Sequence, residues 1–533
     1  MTFISLHART LMSVLLVVVS LYLWFRYRKD DRAGTGLVLA LLGLTFFLRW
    51  YWMDDLEGNV DTSTWLASTL SVRHYPDSFW KLLNYSDSRP LTVFPLWAAT
   101  WFGVDAGYRT AECVGVICWL GTLFFTYRAL TLYVSNSLAV LLTWVLCLFI
   151  GTTWNNEHTA YNSEHFSIFL IAVATYAYLS FEKKGRTTAL KAFGTGFLLG
   201  SLLFAKFQNV PMGLVVAGFM MTSLYRKKDF RSLAFLVSGG ILPTIIVNII
   251  FWSHGKLDEF WVNYVWHYIL YSYTTEFQPL SVGERFNPIR AGRFLLSAVQ
   301  SRAILSALLL VLTGGVAYAA FSAPQGSFVR TIRLFTLLLL AASMYAIIQA
   351  GNPFHHYALY IFHPLILAAG AWLTAPRSRA VPLLGGALLL AAVGQGVWNL
   401  NTTPAPVISN YPQSEKQIIQ TILNNSTEQD RLVVWGWVDR WHQYTVRPCG
   451  YRLAHTHLMY MKSDLFSRRM ANFLEDMEAN KPAIFVDAAI DRYSVIEGLE
   501  KPHDTFPEVK SYIDRHYQPL AIIDSVRIYR RIR

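Results

Sequence analysis

Apolar and polar positions along this chain separate into long blocks. Period-2 and period-3.6 alternation is confined to its last quarter. Uninterrupted apolar runs of the length that crosses a bilayer, about 20 residues or a little fewer where flanking side chains snorkel, recur from near residue 9 to near residue 400. Their approximate bounds are 9–25, 34–52, 106–128, 137–153, 163–181, 189–206, 210–225, 232–252, 294–316, 331–350, 357–375 and 382–399. The pattern predicts an α-helical polytopic membrane protein with about twelve spans. The first run resembles a signal sequence in length. It has no small-x-small cleavage site and is followed by "RYRKDDR", so it is read as a span.

Beyond residue 400 the pattern changes. "RLVVWGW" (431–437), "PAIFVD" (482–487), "PLAIID" (519–524) and "VRIYRR" (526–531) read as short buried strands. Between them "SEKQIIQTILNN" places Ile418, Ile419, Ile422 and Leu423 on one helical face. Residues 401–533 are therefore expected to form a small α/β domain, and residues 1–400 the membrane domain. No glycine-rich phosphate loop follows a strand, which argues against a nucleotide site.

Charge orients the spans. The chain is 53% hydrophobic and 15% charged, with a net charge of +12. Its basic residues fall in short clusters between apolar runs, at 26–32, 182–191, 225–231, 327–333 and 376–379. With twelve spans all five clusters lie on one face, the cytoplasmic one, and both termini face outward. That distribution marks membrane topology and excludes a nucleic-acid groove. The four cysteines show no metal-ligand spacing, and three lie inside apolar runs, so they are read as unpaired small hydrophobes.

The remaining outer segments are long. One runs from Tyr51 to about Asp105. A second, about 253–293, contains "EFWVNYVWHYILYSYTTEF" and reads as an interfacial helix with its rings at headgroup depth. The tail is the third.

Candidate chemistry is one-sided. The middles of the apolar runs are almost free of charge, and ionisable groups gather at their outer ends: Asp54, Asp55 and Glu57; Arg89; Arg109 and Glu112; Glu157, His158 and Glu164; Lys206; His355 and His356. A carrier needs charge near mid-span, where both sides can reach it. Outer-end groups suit an enzyme acting on a lipid-held substrate at one leaflet. Each also has a plain alternative. Acids after a span can be solvated loop residues, Lys206 and Arg89 snorkelling anchors, Arg109 and Glu112 a helical pair, and Glu164 a helix-start carboxylate.

Four pieces in order, "MDDLEG" (53–58), "RPL" (89–91), "NSE" (162–164) and "HHY" (355–357), resemble motifs of the GT-C glycosyltransferase superfamily. Within it the chain is most similar to the bacterial group of protein O-mannosyltransferase-like enzymes and the aminoarabinose transferase of lipid A, over about residues 40–400. The resemblance implies an inverting transfer from a polyprenyl-phosphate sugar to an extracytoplasmic acceptor: a glycan, a lipid or a protein. It implies an inner-membrane enzyme whose site and tail face the periplasm. Asp54 or Asp55 would be the general base, Asp55 standing where the family has Glu. Arg89, in a "RPL" that lacks one proline of the family's "KPPL", would bind the donor phosphate together with Lys206, His356 and Tyr357. Glu57, Glu157, His158 and Glu164 would orient the acceptor. The resemblance leaves room for a divalent cation, Mg or Mn, on Asp54 and Glu164. The rival readings are a carrier or flippase for a lipid-linked sugar, a glycan polymerase or ligase using a pyrophosphate-linked donor, and a membrane scaffold.

Overall fold

The computed structural model describes the chain except residues 1, 29–33, 82–88, 268, 270–280, 321–325, 350, 352–353, 374–379, 404–411, 461–463, 494–500 and 533. The basic cluster at 376–379 and most of that at 26–32 therefore lie outside the described residues, as does much of the aromatic stretch 270–280. The chain divides into two compact units. The first comprises Met1–Met53, Glu112–Ile246 and Leu280–Ala405. The second comprises Asp54–Ala111, Val247–Pro279 and Pro406–Arg533. The tail thus shares a unit with two segments that read as outer loops.

A helix stands at each of the twelve expected apolar runs. Among the described residues, seven helices are long and apolar enough to cross a membrane: His7–Tyr27, Tyr108–Leu130, Ser163–Lys184, Phe207–Arg226, Phe230–Ser253, Ser327–Ile348 and Pro382–Thr402. The others are shorter, such as Asn136–Thr152 and Leu359–Trp372.

These two short helices are the centre of the first unit. Every residue from Ser137 to Thr152 is buried, and Leu359–Ala371 likewise. Both are apolar all round, as a helix surrounded by other helices must be. Some of their polar atoms are paired: Trp144 Nε1 donates to Ser20 Oγ at 2.8 Å, and Thr126 and His363 share a hydrogen bond of 2.7 Å.

A glycine seam joins Ala189–Ala205 to Phe230–Ser253 within the first unit. A Cβ on Gly196 would overlap the carbonyl of Leu236. One on Gly200 would overlap that of Gly240, and one on Gly239 that of Phe193. Small residues here let two backbones touch, the close-approach packing that holds helices together where water supplies no driving force.

In the second unit the strands fall where the pattern places them: β1 (Leu432–Trp435), β2 (Ile484–Asp487), β3 (Tyr517–Ile523) and β4 (Val526–Arg531). The sheet order is β1-β2-β4-β3, with β1 and β2 parallel and the other pairs antiparallel. Alternate residues serve two cores. Leu432, Val434, Ile484 and Val486 pack with Ile418 and Ile422 of the helix Gln413–Asn424. Val433, Trp435 and Phe485 pack with Phe473 and Met477 of the helix Phe466–Asn480.

The segment after Tyr51 is no open loop. Helix Val60–His74, capped by the Asn59 side chain on the amide of Asp61 (2.8 Å), is buried from Thr62 to Val72 although half those residues are Ser or Thr. Some hydroxyls bond the carbonyl one turn back, as Thr69 does to Trp65 (2.8 Å). Others bond the tail: Thr64 donates to Asp439 (2.5 Å), and Ser71 accepts from the amide of Cys449 (2.9 Å). The aromatic stretch is likewise turned partly inward. Phe260 and Tyr264 are buried, Trp266 is exposed, and Glu259 pairs with Arg452 of the tail.

Candidate functional site

In the first unit five of the expected residues come together, each from a different kind of helix end. Glu157 sits in the single turn Asn156–Thr159, whose cap is Asn155. Glu164 lies in the first turn of Ser163–Lys184, a start made by a capping box in which His165 reaches back to the amide of Asn162. Lys206 ends the helix Ala189–Ala205 in an extended conformation, before the turn Phe207–Asn209. His356 and Tyr357 form the 3-10 turn that leads into Leu359–Trp372.

The Lys206 ammonium pairs with Glu164, whose carboxylate is fully buried. Its other carboxylate oxygen accepts from Ser163 Oγ at 3.2 Å. His356 Nδ1 lies 2.6 Å from Glu157, and its Nε2 lies 4.0 Å from Glu164. Lys206 also stands over the Tyr357 ring, 4.9 Å from its centroid. Burial pulls the His356 pKa down, but the charge of Glu164 and the hydrogen bond from Glu157 outweigh it, and the net shift is upward. Glu157 answers in kind: burial raises its pKa, the His356 bond and charge lower it further, and it ends below the ordinary carboxylate value. With His356 protonated, two cations balance two carboxylates in a buried site, the condition under which buried charge is tolerated.

His158 does not join them as a charged group. It is buried against Phe149, ring centroids 5.4 Å apart, and burial drives its pKa to about 3, so it is neutral.

Two further cations in this unit escaped the sequence reading. Arg285 and Arg290 line an open cavity with Phe294, Ile347, Ile348 and Gly351. Arg285 is buried, and its Nη1 donates to the carbonyl of Gln349 at 3.3 Å. Gly351 has φ +74°, and a Cβ there would come within 3.0 Å of Arg285 Nε, so glycine leaves the guanidinium its place. Phe294 stacks on His355, which also bonds Ser297 (2.9 Å), so the cavity borders the turn that carries His356 and Tyr357. Two guanidiniums beside apolar walls suit the phosphate of an amphiphile. Their only trace in the sequence is the basic spacing of "ERFNPIRAGR".

Asp54, Asp55, Glu57 and Arg89 belong to the second unit. Asp55 is exposed, and its Oδ1 accepts from the amide of Arg109 (3.2 Å) at the start of the helix Tyr108–Leu130. That is a helix-capping role. Asp54 is half-buried and accepts from the amide of Leu56 at 3.1 Å, a local turn bond that uses one oxygen. Of the two, Asp54 is the less committed to the fold. Glu57 is held by Ser63 Oγ (2.5 Å) and Arg440 (2.9 Å). Burial raises its pKa against the pull of Arg440. Arg89 precedes Pro90 in the extended conformation that a following proline imposes, capping the helix Pro90–Thr100. Glu112, in the first unit, pairs with Arg49.

The residues proposed for a divalent cation fit one poorly. Both Glu164 oxygens are already bonded to Lys206 and Ser163, and among the described residues no group of three His, Cys, Asp or Glu side chains is arranged to hold a metal ion.

No protein-family model and no curated protein sequence matches the chain. Among solved structures, ArnT from Cupriavidus metallidurans bound to undecaprenyl phosphate aligns over 93% of this chain and 98% of its own, with a TM-score of 0.54 and 12% identity. The chain shares its fold with this structure. The oligosaccharyltransferase AglB from Archaeoglobus fulgidus, in complex with an inhibitory peptide and a dolichol-phosphate, aligns over 85% of this chain and 69% of its own at 11% identity, with a TM-score of 0.46. The chain is an integral membrane protein with a small four-stranded sheet in its tail.

Proposed function

We propose that this protein is an inverting glycosyltransferase that moves a sugar from a polyprenyl-phosphate donor to an extracytoplasmic acceptor. One observation carries the proposal: within a GT-C fold, an open cavity walled by Phe294, Ile347 and Ile348 presents two guanidiniums, Arg285 and Arg290. An apolar wall suits the prenyl chain and the guanidiniums suit its phosphate. The solved relative with undecaprenyl phosphate bound supports the same donor class. The basic clusters at 182–191 and 225–231 support a reading in which those loops face the cytoplasm and the site and tail the outer side of an inner membrane.

The acceptor hydroxyl oxygen attacks the anomeric carbon as the carbon–oxygen bond to phosphate breaks. The bonding pair leaves with the phosphate. The leaving group is already anionic, so it needs cations rather than a general acid. Arg285 and Arg290 supply them. The acceptor's proton passes to Asp54, the general base. Lys206 and His356 hold charges already balanced by Glu164 and Glu157, so their part is to fix Tyr357 beside the donor phosphate and to keep the acceptor side rigid.

The experiment is reconstitution in lipid with a panel of undecaprenyl-phosphate hexoses, pentoses and amino sugars, measuring undecaprenyl phosphate released. Asp54→Asn should abolish turnover and keep donor binding, while Arg285→Met should lose donor binding. Asp55→Asn should retain most activity. Full turnover in both Asp variants, each tested singly, would remove the proposed bases.

A further inference from the structure

We infer that the short tail helix Arg440–Thr445 is a positioning element that holds the Asp54 loop from both flanks; this rests on the glycosyltransferase reading. The helix makes four contacts inside the second unit. Arg440 donates to Glu57, three residues after Asp54, at 2.9 Å. The Tyr444 hydroxyl accepts from the Glu57 amide at 3.3 Å. The Tyr444 ring packs on Tyr108, centroids 5.9 Å apart. Gln443 donates to the carbonyl of Ala106, just before the helix start that Asp55 caps.

The grip is anchored on the other side. Arg440 also donates to Glu415 at 2.6 Å, and Trp441 Nε1 donates to the same oxygen at 2.9 Å. Glu415 belongs to Gln413–Asn424, the helix packed on the sheet. Glu57 is tied in turn to Ser63 and, through it, to the hydroxyl of Tyr108 (2.8 Å). The loop bearing the base is therefore bracketed at residues 57 and 106–108 by one turn of helix keyed to the tail sheet. None of these groups needs to touch the donor. Their chemistry is that of a bidentate clamp, in which a planar fork bonds two carboxylates in fixed directions. Such a clamp serves a base that must meet an acceptor hydroxyl within hydrogen-bond reach.

The test uses the full chain in lipid nanodiscs and the donor from the panel that wild type consumes. Arg440→Gln should lower kcat by roughly 10- to 100-fold, the scale of an ångström-sized misplacement. Binding of undecaprenyl phosphate should stay unchanged, and the Glu57 amide should exchange hydrogen faster. Arg440→Lys, which keeps charge but not the fork, should fall between. The double variant Arg440→Gln/Glu57→Gln should recover part of the loss, because the Glu57 side chain is then no longer a buried charge without its cation. Wild-type kcat in a folded Arg440→Gln protein would overturn the inference, as would equal loss in single and double variants. If Arg440→Gln does not fold, Tyr444→Phe carries the test: it keeps the ring and removes only the acceptor of the Glu57 amide. A severalfold loss of kcat with intact lipid binding supports the clamp, and unchanged kcat overturns it. Failure of the enzyme reading itself is distinct, since wild type would then consume no donor of the panel.

Discussion

Arg452 offers the sharpest quantitative test of how the second unit is held together. Its guanidinium is buried and bonds Asp476 twice, at 2.7 and 2.8 Å, Glu475 at 3.1 Å, and Glu259. Glu259 has a second cation, Lys256, at 3.2 Å, so Asp476 depends most on Arg452. Burial already raises the Asp476 pKa with the guanidinium in place. In Arg452→Met the carboxyl must either stay ionised without a cation or take up a proton. Protonation caps the loss. From an ordinary Asp value near 3.9, holding the acid neutral costs about 1.36 kcal/mol per pH unit, so about 4 kcal/mol at pH 7 and about 1.5 at pH 5. The variant's deficit should therefore grow as pH rises. Arg452→Met/Asp476→Asn should lose this dependence and lie within about 1 kcal/mol of wild type. The assay is hydrogen exchange of the helix Phe466–Asn480 in the full chain at both pH values, with thermal loss of monodisperse protein alongside. A deficit equal at pH 5 and pH 7, or no deficit, would refute the argument.

Other expectations follow from the same geometry. Lys206→Met strands the buried Glu164 and should cost about 3–5 kcal/mol, most of it recovered in Lys206→Met/Glu164→Gln, measured as thermal inactivation. For Glu157 and His356 the two shifts bracket a pH window. The lowered Glu157 pKa contributes stability above its unfolded value near 4.5, lost as pH falls through the folded value. The raised His356 pKa contributes below about 6.5, lost as pH rises through its folded value. Stability from this pair should peak between those limits, and Glu157→Gln should flatten the profile. Gly200→Leu should abolish monodisperse expression, because the Gly240 backbone occupies the space, whereas Gly194→Leu, with open space, should be tolerated.

The sequence made the helices legible because the apolar runs are almost free of charge, and the two central apolar strands, β1 and β2, legible because their burial is continuous. Helix Val60–His74 was not legible. Ser and Thr at six of its eleven buried positions read as a solvated surface, and hydroxyl bonds to carbonyls one turn back and to the tail make their burial tolerable. Glu164, Lys206, His356 and Tyr357 stood out as polar residues at the ends of apolar runs. Arg285 and Arg290 did not, since a basic and aromatic stretch reads equally as an interfacial anchor. Nor did Arg440, whose charge looks ordinary within a water-soluble domain until Glu57 is seen beside it. The choice between Asp54 and Asp55 turns on a backbone amide, that of Arg109, which no side-chain pattern reveals.

The glycine seam bears on what moves during turnover. Helices whose main chains touch along Gly196, Gly200 and Gly239 cannot ratchet past one another, because any offset drives a carbonyl into a neighbouring Cα. That pair behaves as a single rigid beam, one strut of a scaffold. A rocking mechanism of the kind a flippase requires would have to pivot elsewhere, and the Lys206–Glu164 pair at the end of this beam keeps a fixed anchorage.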